Sequence, residues 1–257
     1  MITFILAVRD RLEHAVHSLP SLASQAAACG GELIVVDQDS GVETAEFLQL
    51  ACATLGGKYV RLDRGDPFSR SWTLNVGAKM AKMPLLSFCD VDVVVDDNFA
   101  EVIARVFSEV FHSGPCVINC FPYQVDKEAS DRFKSAGDMS VLRDGDHRPW
   151  WTLGAGSHVD TRSFLRIGGF DEAYDGWGCE DDDLFQRLRA TGCGWSCPAP
   201  TAKCWHLWHA PPPRKDEHEP PNRARLAKSV ERIAAGDLIR NNGRAWGETA
   251  WSPIGGR

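Results

Sequence analysis

Between residues 2 and 89 the chain alternates short apolar runs with longer segments whose apolar residues recur at helical spacing. Few architectures accept that pattern. Residues 2–8 (ITFILAV) are apolar but for Thr3, as in a strand buried on both faces. Leu12, Ala15, Val16, Leu19, Leu22 and Ala23 then share one helical face, and Gly30-Gly31 closes the helix. Residues 33–36 read as a second strand, 42–54 as a helix and 58–62 as a third strand. A further helix begins near Ser69 and leads past Pro84 to a fourth strand at 85–89. Parallel strands need crossovers of this length. The spacing therefore predicts an α/β fold, a doubly wound, mostly parallel sheet with helices on both faces and right-handed connections.

Polar residues gather where each strand ends: Arg9, Asp10 and Arg11, then Asp37 and Asp39, Asp63 and Arg64, and Asp90 and Asp92. Open α/β sheets bind ligands outside the carboxyl ends of their strands. Arginines facing several acids suit an anionic ligand carried with a metal, such as a nucleotide diphosphate. Ordinary solvated loop charge is the bland alternative at any one position. No GxxxxGK[ST] occurs and the first strand-to-helix turn lacks glycine, so neither a P-loop nor a dinucleotide fingerprint is available. Side chains and a metal must then neutralise the phosphates.

After residue 99 the alternation breaks. A helix at 99–112 and a strand at 116–121 precede a polar stretch, 122–150, long enough to be a functional loop or lid. That stretch and 210–222 are expected to order on donor binding. Strand-like segments at 194–197 and 202–205, a Pro-rich break at 211–213, a basic amphipathic helix at 222–235 and a Trp-containing tail follow. The expected organisation is one domain over 1–220, with a donor-binding half (1–98) and an acceptor or catalytic half (99–220). Residues 221–257 would pack on it.

Residues 168–188 (GGFDEAYDGWGCEDDDLFQRL) set Trp177 between two glycines and run four acids into an apolar-periodic helix. Acids in a first turn can simply complement the helix dipole. The helical phase separates them: Asp181 shares the arc of Leu184, Phe185 and Leu188, and Glu180 borders it. Asp182 and Asp183 turn away, with Asp183 placed to pair with Arg187. Desolvation would make Asp181 a stronger base and the dipole a weaker one. Asp90 and Asp92 lie two residues apart on an extended chain and so face opposite ways, one toward a metal and the other toward a sugar or ribose. Oxygen ligands beside phosphate suit Mn²⁺ or Mg²⁺.

An EF-hand fails, because Val94 and Val95 occupy a ligand position and the obligatory glycine. A haloacid-dehalogenase-type phosphatase using Asp90 fits the local DxDx[TV] pattern, although that motif normally opens its fold. His206 and His209 offer imidazole ligands. A zinc site with Cys193, Cys197 and Cys204 lacks any CxxC pair. Of nine tryptophans, Trp177, Trp205, Trp208 and the Trp150-Trp151 pair stand beside the candidate residues, where they could stack on sugars or simply fill core. A net charge of −7 argues against nucleic acid or an anionic membrane as partner. The apolar run at 2–8 is too short to span a bilayer and lacks the flanks of a signal peptide. Nine cysteines without a framework suit a reducing, cytoplasmic setting.

Five motifs in order resemble the inverting GT-A-fold glycosyltransferases, and most closely the beta-1,4-galactosyltransferase group with its bacterial relatives. RDRLEH at 9–14 resembles that group's FRNRxEHL, and Phe68-Ser69-Arg70 with Asn75-Val76-Gly77 its FNR…NVG. Residues 88–92 resemble its DVD and 176–183 its GWGGEDDD. His209 with 219–223 resembles its metal histidine and ExPN region. The resemblance implies a metal-dependent inverting transferase moving galactose or N-acetylgalactosamine from a UDP-sugar to a carbohydrate hydroxyl. Asp181 would be the base, assisted by Glu180. Arg9, Arg11 and Arg70 would hold the diphosphate, Asp37 would sit by the uracil and Asp90 by the ribose or sugar. Asp92, His209 and His206 would hold Mn²⁺ or Mg²⁺. Trp177, Asp182 and Gly154 would meet the acceptor, Trp177 also touching the donor. His206 stands where the group has methionine, and Cys179 where it has glycine. A non-catalytic sugar-binding module, the remaining alternative, leaves the DVD and the acids unexplained.

Overall fold

The computed structural model describes residues 1–150, 152–211, 214–243 and 245–250. Trp151, Pro212, Pro213 and the last tail tryptophan, Trp251, lie outside the described residues. The first half follows the expected alternation: β1 (Ile2–Val8), α1 (Leu12–Ala28), β2 (Glu32–Gln38), α2 (Val42–Leu55), β3 (Lys58–Leu62), α3 (Arg70–Met80) and β4 (Leu85–Asp90). Ser69 caps α3 by accepting from the Trp72 N–H. Short β5 (Val93–Val95) and α4 (Phe99–Arg105) follow, the latter running into a π-helical turn at Val106–Val110.

The main sheet has seven strands. β1 lies at its centre between β2 and β4, both parallel to it, and β3 extends the β2 edge in parallel. On the other side β9 (Ser157–Asp160) runs antiparallel to both β4 and β6 (Cys116–Asn119), and β10 (Gly194–Ser196) closes that edge parallel to β6. Because strand side chains alternate, β1 serves two cores. Ile2, Phe4, Leu6 and Val8 pack with Ala15, Leu19 and Leu22 of α1, Leu48 of α2 and Phe99 of α4. Ile5 and Ala7 face Leu74 of α3, Phe164 of α7 (Thr161–Arg166), and Leu184, Phe185 and Leu188 of α8 (Glu180–Ala190). Helices thus cover both faces, as the fully buried β1 requires.

The stretch 122–150 is not a structureless loop. It forms β7 (Tyr123–Gln124), α5 (Lys127–Ala136), α6 (Ser140–Arg143) and β8 (Arg148–Pro149). β7 and β8 join a second sheet, in the order β5, β11 (Cys204–His206), β7, β8. Val125, Ala129, Phe133 and Leu142 bury against Val94, Trp205 and Leu207. Its polar composition concealed a small core of spaced apolar residues. The C-terminal helix also differs from expectation: α9 spans Lys215–Ala234, starting seven residues early and carrying Pro220 and Pro221 near its beginning. No helix among the described residues is long and apolar enough to cross a membrane.

Candidate active site

The turn leaving β1 is left-handed at two successive non-glycine residues, Asp10 (φ 59°) and Arg11 (φ 61°), and Asp39 after β2 repeats this (φ 58°). Such residues cost about 1 kcal/mol or more each and persist where neighbours hold them. Here the Asp10 N–H donates to Ser40 Oγ (2.6 Å), while Asp10 Oδ1 accepts from the Gly41 N–H (2.8 Å). The two strand ends are thereby laced together. Arg11 emerges from the turn to donate to Asp92 Oδ2 at 3.0 Å.

Asp90 and Asp92 do face different partners. Asp92 is buried in the turn between β4 and β5, with His206 Nε2 3.4 Å from Oδ1 and His209 Nε2 3.2 Å from Oδ2. One ligand atom from each residue lies within 4.8 Å of the others, and no other His, Cys, Asp or Glu group of this kind occurs among the described residues. Cys193, Cys197 and Cys204 take no part, so the zinc alternative falls. Burial acts to raise the Asp92 carboxyl, but His206, His209 and Arg11 together hold it below its ordinary value. Burial pushes the His209 imidazole down, keeping it neutral and able to ligate. Asp92 Oδ1 has no hydrogen-bond partner although it is buried, which a bound cation would remedy. One carboxylate oxygen and two imidazole nitrogens fit a divalent first-row ion.

Asp90, the last residue of β4, belongs to a second cluster built around Arg70. The guanidinium donates from Nε to Asp90 Oδ1 (2.9 Å), from Nη1 to Asp181 Oδ1 (2.7 Å) and from Nη2 to the Gly154 carbonyl (2.7 Å). Glu180 Oε1 lies 3.4 Å from Nη1. Every arm of this fork is engaged by the cluster, so Arg70 stands among the acids, where the resemblance implied a place at the diphosphate. Fixed at the start of α3, it organises the carboxylates at the start of α8. Burial, then the Asp181 charge, push Glu180 up to about 8 despite Arg70. Asp181 is also raised by burial, with Arg70 pulling against it. The Asp181 side chain is 21% exposed against 8% for Glu180, making it the more accessible carboxylate.

Asp181 turns in to Arg70, but Glu180 is the more deeply buried of the two, and Asp183, expected to turn away, is core. Asp183 does pair with Arg187 (2.7 Å), but both side chains are completely buried. Ser229 of α9 donates to Asp183, and Arg187 donates to the Ile167 and Gly169 carbonyls (3.1 and 2.8 Å). Packing by α9 turned a face that looked solvent-directed into core. Nor do the four acids include a side-chain cap: Cys179 holds the N-cap position with φ 74° and makes no capping bond.

Trp177 is 39% exposed, with Lys215 Nζ of α9 3.8 Å from its ring centroid. Asn222 donates to the Asp175 and Trp177 carbonyls (2.9 and 3.1 Å), pinning the Gly-Trp-Gly loop to α9. Asp182 is exposed beside it. Gly154 leaves no space on its Cα: a Cβ there would stand 2.5 Å from Asp181 Oδ2. Trp150 sets its ring edge-on to His206, centroids 4.8 Å apart, whereas Trp205 is core.

Two expected donor residues sit apart from both clusters. Asp37 is fully buried and accepts from the Ser40 N–H (3.1 Å), Tyr59 Oη (2.8 Å) and Arg61 Nη1 (2.7 Å). At this strand end it is engaged by Arg61 and Tyr59, neither of which sequence reasoning singled out; their alternation on β3, with Arg61 opposite Asp37 on β2, was the available signal. Arg9 pairs with the exposed Asp66 at 2.7 Å.

A family model described as glycosyltransferase-like family 2 matches residues 28–202, more than half of the chain. The chain belongs to this family. Among its relatives, validoxylamine A glucosyltransferase of Streptomyces hygroscopicus subsp. jinggangensis is 25% identical, over 85% of this chain and 57% of its own length. Human beta-1,4-galactosyltransferase 1 is 30% identical, over 71% of this chain and 41% of its own length. The chain thus spans about half the length of these curated relatives. Solved structures share the GT-A fold. Staphylococcus aureus TarS 1–349 in complex with UDP-GlcNAc superimposes with a TM-score of 0.63 at 18% identity, covering 94% of this chain and 74% of that one. GalNAc-T7 with UDP, GalNAc and Mn²⁺ gives 0.64 at 13% identity, covering 90% and 48%. The phosphatase alternative is left without support, since Asp90 lies on the fourth strand of a glycosyltransferase fold and is committed to Arg70.

Proposed function

We propose that the protein is an inverting glycosyltransferase that moves a hexose, galactose or its N-acetylated form, from a UDP-sugar to a saccharide hydroxyl. The observation that carries this reading is the division of labour across Asp90-Val91-Asp92. Asp92 meets two histidines and Arg11, while Asp90 meets the Arg70 cluster that contains Asp181. A site for a charged leaving group and a site for a base are thus joined by a single turn of chain.

Asp92, His206 and His209 would hold Mn²⁺ or Mg²⁺, whose charge, when bound, neutralises the diphosphate. Imidazole ligands favour the former. Arg11 and Arg9 supply donors at the same strand ends. Asp181 accepts the proton of the acceptor hydroxyl as that oxygen attacks the anomeric carbon from the side opposite UDP. Arg70 holds its carboxylate in one orientation. Glu180, raised to about 8, keeps its proton at neutral pH and donates a hydrogen bond within the acid cluster or to the acceptor. Asp182 and the exposed part of Trp177 would receive acceptor sugars, with Gly154, which lets the Asp181 carboxylate lie close against it, beside them.

A thermal-shift screen of nucleotide sugars with Mn²⁺ or Mg²⁺ identifies the donor, and turnover is then measured for Asp181→Asn. The variant should bind UDP as the wild type does and lose transfer by about 10²–10⁴-fold. Undiminished turnover would remove Asp181 from the chemistry. Stabilisation by free glycans but by no nucleotide sugar would favour a sugar-binding module instead.

A further inference from the structure

We propose that His14 of α1 and Ser130 of α5 are positioning residues that clamp the Trp208 peptide from both ends and so aim His209 at Asp92; this rests on the reading of Asp92, His206 and His209 as a cation site. Both side chains are fully buried. Ser130 Oγ accepts from the Trp208 N–H at 2.8 Å, and His14 Nε2 lies 3.1 Å from the Trp208 carbonyl oxygen. A carbonyl only accepts, so the imidazole must carry its proton on Nε2.

The clamp falls where the chain has lost its other supports. β11 ends at His206, whose carbonyl accepts from the Val125 N–H (3.0 Å), and the Leu207 N–H donates to the Asp92 carbonyl (2.8 Å). Beyond these, residues 207–211 have no regular structure. The Trp208 side chain is a weak anchor for the segment, being 39% exposed with Lys127 Nζ over its ring at 5.4 Å. Its peptide is therefore what fixes the next residue. At His209, Nδ1 lies 2.6 Å from the Ala210 carbonyl, which takes the Nδ1–H and leaves the Nε2 lone pair toward Asp92.

Burying an imidazole is costly without compensation. His14 makes its one hydrogen bond to Trp208 and leaves Nδ1 without one, 3.5 Å from the mostly solvated Glu13 carboxylate. An apolar side chain would pack at this point of α1 with less penalty. Ser130 likewise ties the 122–150 segment to the residue preceding His209, giving that segment a task that its polar sequence did not disclose.

The test uses the full chain. Mn²⁺ affinity is read from the electron paramagnetic resonance of the free ion for wild type, His14→Met, His14→Gln and Ser130→Ala. Metal-free thermal midpoints monitor folding. Loss of an outer hydrogen bond to a ligand typically weakens metal binding about 10–100-fold. His14→Met and Ser130→Ala should each weaken Mn²⁺ about tenfold. His14→Gln, whose amide N–H can replace Nε2–H, should stay within about threefold of wild type. In metal-free wild type, ¹⁵N spectra of the histidine rings should show His14 as the Nε2–H tautomer. Unchanged Mn²⁺ affinity in both His14→Met and Ser130→Ala, a glutamine variant as weak as the methionine one, or an Nδ1–H tautomer would each overturn the clamp. Wild-type protein with the expected tautomer that takes up no Mn²⁺ would overturn the cation reading itself, and this role with it.

Discussion

Adding one methyl group at Gly154 tests the proposed base more sharply than deleting the carboxylate. The backbone of Gly154 lies outside the left-handed region, so alanine is conformationally acceptable there. Its Cβ, however, would stand 2.5 Å from Asp181 Oδ2, where ordinary contact begins near 3.4 Å. The carboxylate must retreat by about 0.9 Å, the difference between those two distances. That movement lengthens the 2.7 Å ion pair with Arg70 and takes the base off its line to the acceptor. A misplacement of about 1 Å can cost roughly 10²-fold in rate. Gly154→Ala should therefore lower kcat about 100-fold while donor KM and the thermal midpoint stay close to wild type. The pH profile should move as well. Arg70 lowers the Asp181 carboxyl, so weakening that contact raises it, and the acid limb of kcat should shift to higher pH. Initial rates at saturating UDP-sugar between pH 5 and 9, with UDP affinity measured alongside, decide the matter. A kcat within threefold of wild type, or a loss matched by lost UDP binding, would refute the placement of the base.

Two further outcomes concern stability. Glu180 is raised from 4.5 to about 8. The folded state therefore holds a proton that the unfolded chain releases, and stability falls as pH rises from about 4.5 through about 8, by up to about 5 kcal/mol. Urea midpoints at pH 5, 6.5 and 8 should decline for wild type and run flatter for Glu180→Gln; parallel lines for the two proteins would contradict the assignment. Arg187→Met should cost about 3 kcal/mol in urea denaturation, because it takes the close ion-pair partner from the fully buried Asp183 and leaves it Ser229 and, at 3.8 Å, Arg240. A cost below about 1 kcal/mol would mean that the pair is dispensable.

The fold was legible because its constraints are local and repeated. A strand as apolar as 2–8, where Thr3 is the one polar residue, must be covered on both faces, and crossovers of 19–23 residues leave little choice but parallel pairing. The second sheet was not legible. β7 and β8 have two residues each and exist only because β11, some eighty residues later, pairs beside β7. Val125, Ala129, Phe133 and Leu142 are too widely spread among charges to announce a core until Trp205 and Leu207 arrive to fill it.

Within the candidate site the same division holds. Sequence alone determined which residue types stand at the strand ends and, through helical phase, that Asp181 with Glu180 beside it turns in from the start of α8. Those are properties of 3.6-residue and two-residue periods, readable along a single element. That Glu180 and Asp183 are buried more deeply than Asp181 was not readable that way. Only the tertiary structure decided the partners. Arg70 was expected at a phosphate and lies among carboxylates, because α3 and α8 start side by side: Ser69 and Gly176 bridge, and the Gly176 N–H donates to the Phe68 carbonyl at 2.9 Å. Asp183 was expected in water and is buried, because α9 packs on its face of α8. A period along one helix says which way a side chain points; what it meets there depends on another part of the chain, whose approach is set by the whole packing.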